Sequence, residues 1–324
     1  MVEKPWVSIL IPVFKVENYI DRCARSAFEQ TYPNIEYIFC DDCSPDRSME
    51  VLERMIKDYP ERAAHVRIIR FPENKGLATV RNTLVDACQT EWLLHLDSDD
   101  WMERDAVEGY MECQSRTGAD IVCADLIKHY AHGESQILYV RSTQKEDYFQ
   151  CILYNNMYHN CWGKLTRTAL YREHHITIPA DCKKAEDWRA IIQLFHYADK
   201  IVTLPRVTWH YDDYRPERIS AVEKDNIERK YNDHMSSFQF VMAFLKEKRP
   251  DLVETYSVSM FERMIQYATM SVSYGNRETH KRIMGDISTF RKQYPHIPKG
   301  IKNQLVLALK SNYYCYRLFL RSIN

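Results

Sequence analysis

The first 125 residues alternate short β-rich runs with stretches whose apolar positions recur at helical spacing. Val7-Ser8-Ile9-Leu10-Ile11-Pro12-Val13 is an almost unbroken apolar run and predicts a buried strand. Asn18 is placed to cap the next helix, in which Ile20, Cys23, Ala24, Ala27 and Phe28 follow the i, i+3, i+4, i+7 pattern of one buried face. Tyr32-Pro33-Asn34 breaks that helix, and Ile35–Cys40 makes a second strand. The rhythm continues through a helix near Met49, Leu52 and Ile56, a third strand at Val66–Ile69 and a helix carrying Leu77, Val80, Leu84 and Cys88. A fourth strand at Trp92–Leu96, a helix near residues 103–116 and a strand at Ile121–Ala124 complete it. Such alternation predicts an α/β fold with a mainly parallel sheet and helices on both faces.

Beyond Asp125 the pattern changes. Residues 126–141 read as a hairpin around His132-Gly133-Glu134, followed by a Tyr- and Asn-rich stretch, Cys151–Trp162. A helix near Asp187–Tyr197 and two short β-like runs, Ile201–Leu204 and Val207–Tyr211, close this half, and from about residue 223 the pattern is helical. No repeat or low-complexity linker interrupts the chain. The expected organisation is residues 1–125 and 126–222 as two halves of one domain, then a helical region over 223–324.

Composition narrows the class. Lys plus Arg, 44 residues, nearly cancels Asp plus Glu, 45, so the basic surplus of a nucleic-acid binder is missing. No apolar run reaches the roughly 18 residues of a membrane span. The first residues, Met1-Val2-Glu3-Lys4-Pro5, have no signal-peptide character, and the expected compartment is the reducing cytoplasm. The ten cysteines are scattered. Cys40 and Cys43 form a C-x-x-C for which a redox role stays open beside plain burial, whereas a zinc site lacks its second ligand pair.

Charge therefore matters locally, and in an open α/β sheet the ligand sits beyond the carboxyl ends of the strands. Asp97-Ser98-Asp99-Asp100 follows the fourth strand. Crowded carboxylates repel, so this cluster points to a hard divalent cation, Mn²⁺ or Mg²⁺, with N-capping of a helix starting near Met102 as the plainer reading. Asp41-Asp42 after strand 2 is either a turn or an acceptor for a nucleobase ring N–H, which uracil and thymine carry at N3. Gly76 in Asn74-Lys75-Gly76 allows a turn before a helix N-terminus that favours anions, and Arg81 one turn on is either a phosphate or carboxylate partner or a surface cation. No G-x-G-x-x-G follows strand 1, and glycines total only 8, which argues against a dinucleotide-binding fold. Glu186-Asp187 is either a helix-start capping pair or a general base for a hydroxyl nucleophile. His210 in Trp209-His210-Tyr211 is either a structural group or an additional metal ligand.

Together these segments resemble glycosyltransferase family 2, with its GT-A type fold. The resemblance runs through Val7–Phe14, Phe39-Cys40-Asp41-Asp42-Cys43-Ser44, Asn74-Lys75-Gly76 to Arg81-Asn82, Leu96–Asp100, Trp162-Gly163-Lys164-Leu165 and Glu186-Asp187-Trp188, covering about residues 5–215. It implies that Pro12 and Phe14 border the nucleobase, that Asp42 binds uracil with Asp41 supporting the loop, and that Arg81 approaches the base or diphosphate. Asn74, Gly76 and Ser98 belong to the same donor-binding set. Asp97 and Asp99 form the D-x-D, and Asp99 and Asp100, with His210, reach the metal. Asp187 is the base beside Glu186, and Trp162, Lys164 and Trp188 face the acceptor. Three positions depart from the family pattern: Lys15 replaces a common Asn, Cys43 a common Gly, and Gly163 a common Asn. The Q-x-x-R-W motif of processive members is absent from the sequence. The resemblance thus implies an inverting, non-processive enzyme that moves one sugar from a UDP-sugar to a glycan or lipid-linked acceptor.

Two other classes compete. A phosphoacceptor receiver domain also places aspartates after parallel strands, yet it is about half this length and leaves both Asp97–Asp100 and Glu186-Asp187 unexplained. A non-catalytic nucleotide-sugar or carbohydrate-binding protein on the same fold is the second. At the chain's end, Ile301, Leu305, Leu309, Cys315, Leu318 and Phe319 share helical spacing with Lys299, Lys302, Lys310, Arg317 and Arg321. That pattern fits peripheral contact with an anionic membrane or a helix docked on its own domain.

Overall fold

The structure is a computed structural model that describes residues 5–153, 159–179, 186–213 and 225–297, the backbone alone at residue 186. The predicted C-terminal basic helix and residues 180–185 beside the acid pair lie outside the described residues. The chain divides into two compact units, residues 1–152 with 157–218, and residues 153–156 with 219–324.

The first unit is built on one sheet of nine strands: β1 Val7–Val13, β2 Ile35–Asp41, β3 Val66–Arg70, β4 Trp92–His95, β5 Trp101–Met102, β6 Ile121–Tyr130, β7 Gly133–Ile137, β8 Lys164–Arg167 and β9 Ile201–Asp212. They lie in the order β3-β2-β1-β4-β8-β6-β9-β5, with β7 paired to β6 outside that path. The first four are parallel, and every residue of β1 is buried, which accounts for its unbroken apolar run. Strand β8 runs antiparallel to both β4 and β6 and joins this block to the second half, where β6 and β9 pair in parallel. Helix Ile20–Phe28 buries the five predicted apolar positions, and helix Leu77–Ala87 buries Val80 and Leu84.

Two strands escaped the sequence pattern. Trp101–Met102 is too short to show alternation, and Lys164–Arg167 carries three polar residues in four. The helix expected from residue 103 starts at Ala106, because the chain first forms β5. The runs 201–204 and 207–211 are one strand whose register against β6 shifts between Ala124 and Leu126, and the predicted hairpin arm continues β6.

In the second unit, helix Val253–Ser273 packs against both Ile227–Lys248 and Arg277–Gln293. Two buried aromatic hydroxyls are paired across it: Tyr231 donates to Asp286 at 3.0 Å, and Tyr267 Oη meets His234 Nδ1 at 2.6 Å. Asn276 caps helix Arg277–Gln293 by accepting from Thr279 N at 3.1 Å.

All three departures from the family pattern fall where the backbone has positive φ: Lys15 at 54°, Cys43 at 56° and Gly163 at 66°. Gly and Asn tolerate that region, whereas a residue such as Lys or Cys is strained there by roughly 1–2 kcal/mol. Lys15 and Cys43 are both exposed, so neither is compensated by burial. Cys43→Gly should stabilise the fold by about 0.5–1 kcal/mol after the entropy of glycine is counted, and Lys15→Asn should act in the same direction. Urea unfolding checks this, and a midpoint that stays or falls in both variants contradicts it.

Candidate active site

Strand β1 lies between parallel β2 and β4, so Phe14, Asp41-Asp42 and the acidic loop leave the sheet at one edge. Pro12 is buried in register with Cys40, while Phe14 just beyond is 36% exposed. Asp41 Oδ1 accepts from Ser44 N at 2.8 Å and closes the turn. Asp42 reaches the neighbouring loop: Oδ1 accepts from Lys75 N at 2.6 Å, and Oδ2 accepts from Gly76 N and Asn74 Nδ2, both at 2.9 Å. A carboxylate offers about four lone-pair sites, so the turn and nucleobase readings of Asp42 are compatible. Gly76, at φ 84° and ψ 156°, takes a conformation open essentially to glycine alone as it starts helix Leu77–Ala87. Cys40 is buried, and burial with Asp42 and Asp41 pushes its thiol up to about 12, the opposite of a redox-active cysteine.

In the acidic loop, one carboxylate oxygen each of Asp97, Asp99 and Asp100 lies within 4.8 Å of the others, the one such His/Cys/Asp/Glu group among the described residues. Asp100 is fully buried and accepts from Trp209 Nε1 at 3.1 Å and from Asp212 N at 3.2 Å. Burial pushes its carboxyl well above the usual range, Asp99 and Asp97 push it further, and the two hydrogen bonds oppose them. The loop does not cap a helix, since β5 follows it directly and the next helix begins at Ala106. Ser98 is buried within it. Arg22 pins the loop: its Nη2 donates to Asp99 O and to Asp212 Oδ2, each at 2.9 Å, and its guanidinium lies 3.7 Å from the Trp101 ring centroid.

His210 does not join the three aspartates. Side chains alternate along β9, and His210 stacks on Trp101 with centroids 4.8 Å apart, away from Trp209 and Tyr211. Its Nε2 meets Glu103 Oε1 at 2.8 Å and its Nδ1 meets His129 Nε2 at 3.0 Å.

Arg81 is 1% exposed and sits between two acids. Its Nη2 donates to Asp97 Oδ1 at 2.9 Å, and its Nη1 donates to Asp187 Oδ1. The surface-cation reading of Arg81 therefore falls. Asp187 lies at the start of helix Glu186–Tyr197, and the Glu186 side chain lies outside the described residues. Burial raises the Asp187 carboxyl, Arg81 lowers it, Asp97 raises it, and a hydrogen bond from Cys161 lowers it, with the net result above the ordinary value.

The three residues expected at the acceptor are all buried. Trp162 stacks on Trp209 with ring centroids 5.5 Å apart, and Trp188 packs edge-on against His159 at 4.2 Å. Lys164 is 0% exposed and donates to Asn160 O at 2.7 Å, and burial lowers its pKa. They form the floor of the site. The residues missed from sequence are Arg22, which pins the acidic loop, and Cys161, which donates to Asp187. Cys161 adjoins the Trp-Gly-Lys segment and was within reach of sequence reading, whereas the tie from Arg22 to Asp212 spans 190 positions.

The sheet order, with an acidic loop at the carboxyl edge of its parallel half, is that of a GT-A type fold. The chain belongs to glycosyl transferase family 2, whose model matches residues 8–176, just over half of its 324 residues. It is a glycosyltransferase. EpsH of Bacillus subtilis is 26% identical over 255 residues, 76% of this chain and 70% of the relative. Of two further curated relatives, the matched region covers only 30% and 40% of their length. Among solved structures, S. aureus TarS in complex with UDP-GlcNAc superposes with TM-score 0.61 at 15% identity, over 89% of this chain and 92% of that one. The mannosyltransferase PcManGT from Pyrobaculum calidifontis, in complex with GDP-Man and Mn²⁺, gives 0.57 at 14% identity, over 98% and 84%. No helix among the described residues is long and apolar enough to cross a membrane.

Because Arg81 holds the Asp187 carboxyl down against burial, Arg81→Gln should move its titration to higher pH. The carboxyl ¹³C shift of Asp187 read across a pH series measures this, and a midpoint unmoved by the substitution contradicts the coupling.

Proposed function

We propose that this glycosyltransferase moves one sugar from a UDP-sugar to a hydroxyl of a glycan or lipid-linked acceptor, with inversion at the anomeric carbon. The observation that carries the reading is the Arg81 bridge, which sets Asp187 one guanidinium away from the acidic loop. Phe14 and Asp42 suit the uracil end of the donor: an exposed ring edge and a carboxylate with capacity for one more N–H. The UDP-GlcNAc complex of TarS, on the same fold, supports this choice of nucleotide.

The three clustered carboxylates fit a hard divalent cation in chemistry, since they are oxygen donors whose mutual repulsion a cation relieves. Asp97, Asp99 and Asp100 would hold Mn²⁺ or Mg²⁺, which offsets negative charge on a diphosphate. Mn²⁺ in the PcManGT complex supports the assignment. His210 is not carried into this ligand set, because its ring is engaged by Glu103, His129 and Trp101.

Asp187 takes the proton of the acceptor hydroxyl as that oxygen bonds the anomeric carbon. The bond from that carbon to the diphosphate oxygen breaks on the opposite side, and its electron pair leaves with UDP. A pKa raised by burial makes Asp187 a stronger base than an exposed aspartate. Arg81 orients it and holds Asp97 in the same grip.

Asp99→Ala should remove Mn²⁺-dependent UDP binding in calorimetry, and unchanged affinity would overturn the metal assignment. Asp187→Asn should keep UDP binding yet lower transfer by at least about a hundredfold, the scale of a lost general base. Transfer at the wild-type rate, or joint loss of binding and transfer, contradicts its role as base.

A further inference from the structure

The floor residues leave the acceptor without a described contact surface, and one surface in the same unit fits that task. Alternation along β6 and β9 puts Lys128 and Tyr130 on the same face as Trp209 and Tyr211. On that face an aromatic row starts beside the base. Cys161 donates to Asp187, and the next residue, Trp162, stacks on Tyr211 with centroids 5.2 Å apart. The Lys128 ammonium lies 5.7 Å from the Tyr211 ring and 5.1 Å from the ring of Tyr130. Tyr130 ends the row and is 41% exposed, one of few large hydrophobic side chains so open among the described residues.

Tyr130 also forms one wall of an open groove of about 620 Å³ at the β6–β7 turn, lined further by His132, Glu134, Ser135 and Asp213. An exposed aromatic face beside convergent carboxylate, hydroxyl and imidazole groups matches the two sides of a sugar, an apolar C–H face and a rim of hydroxyls. Resting on the glycosyl-transfer reading above, we infer that this groove is an acceptor subsite that binds sugar units beyond the one that reacts, so that the acceptor is an oligosaccharide. The groove lies two strand spacings from β5 and the acidic loop, roughly 10 Å across the sheet, too far for one sugar ring to touch both. Among the described residues its lining carries two acids, Glu134 and Asp213, and the Lys128 ammonium lies beside them, 2.8 Å from Asp213. That balance repels phosphate- or uronate-bearing chains and selects a neutral oligosaccharide.

The test uses the full chain and a panel of neutral glucose, galactose and N-acetylglucosamine saccharides of one to four units, with binding read by calorimetry. The wild type should bind at least one tri- or tetrasaccharide about tenfold more tightly than its monosaccharide, the scale of one good ring contact. Tyr130→Ala should abolish that preference, and Tyr130→Phe, which keeps the ring, should retain it. Binding that ignores chain length, survives Tyr130→Ala or is absent for the whole panel overturns the subsite. Wild-type UDP binding with Mn²⁺, measured in parallel, reports separately on the donor reading: its loss refutes glycosyl transfer from UDP-sugars and leaves the saccharide result to stand by itself.

Discussion

A buried guanidinium cannot remain in this fold unpaired, and that constraint organises the site. Arg81 has almost no exposed surface and donates to Asp97 and Asp187, which come from two different elements. Removing both acids would leave an uncompensated charge in a poorly solvated place, where such losses cost several kcal/mol. The helix Leu77–Ala87, the loop after β4 and the start of helix Glu186–Tyr197 are therefore held by one side chain. Two carboxylates against one guanidinium leave the assembly net negative. Asp99 and Asp100 add to that excess, which makes the edge of the sheet a place for a cation.

The sheet makes this meeting possible. Parallel β2, β1 and β4 bring Asp42, Phe14 and Asp97 to one edge, as alternating strands and helices do wherever β1 lies between its neighbours. Strand β8, antiparallel on both sides, then turns the second half back so that Cys161 and Trp162 arrive beside the same edge. Arg22 holds the other flank by joining the acidic loop to the end of β9. The loop is thus fixed by an arginine on each side, and its aspartates lie close together without a helix to cap.

The residues whose motif implied an acceptor-facing role are buried. Trp162, Lys164 and Trp188 are packed inside, and Lys164 donates a hydrogen bond to a backbone carbonyl. Trp162 stacks on both Trp209 and Tyr211 and so ties the motif to β9. Strain follows the same economy. Lys15 and Cys43 hold positive φ at the carboxyl edge of the sheet, where the turns out of β1 and β2 need it, whatever the local residue prefers.

By itself the sequence determined the parallel half of the sheet, because a fully buried strand and a one-sided helix each leave a periodicity that survives without neighbours. It also determined where acidic groups leave the strands, since Asp41, Asp42 and Asp97–Asp100 directly follow apolar runs. Local pattern could not separate a helix cap from a metal-binding loop at Asp97–Asp100. The two residues of β5, which exclude the cap, are recognisable only by pairing with β9, more than a hundred positions away. Arg81 likewise read as a surface cation or an acid partner until Asp187, 106 residues on, was set against it. The side of β9 on which His210 points, and the burial of Lys164, depend on strand register, which is settled by packing across the whole sheet. Tertiary structure decided which charges meet, because the energy of a buried ion pair belongs to a place in space and leaves no trace in either segment alone.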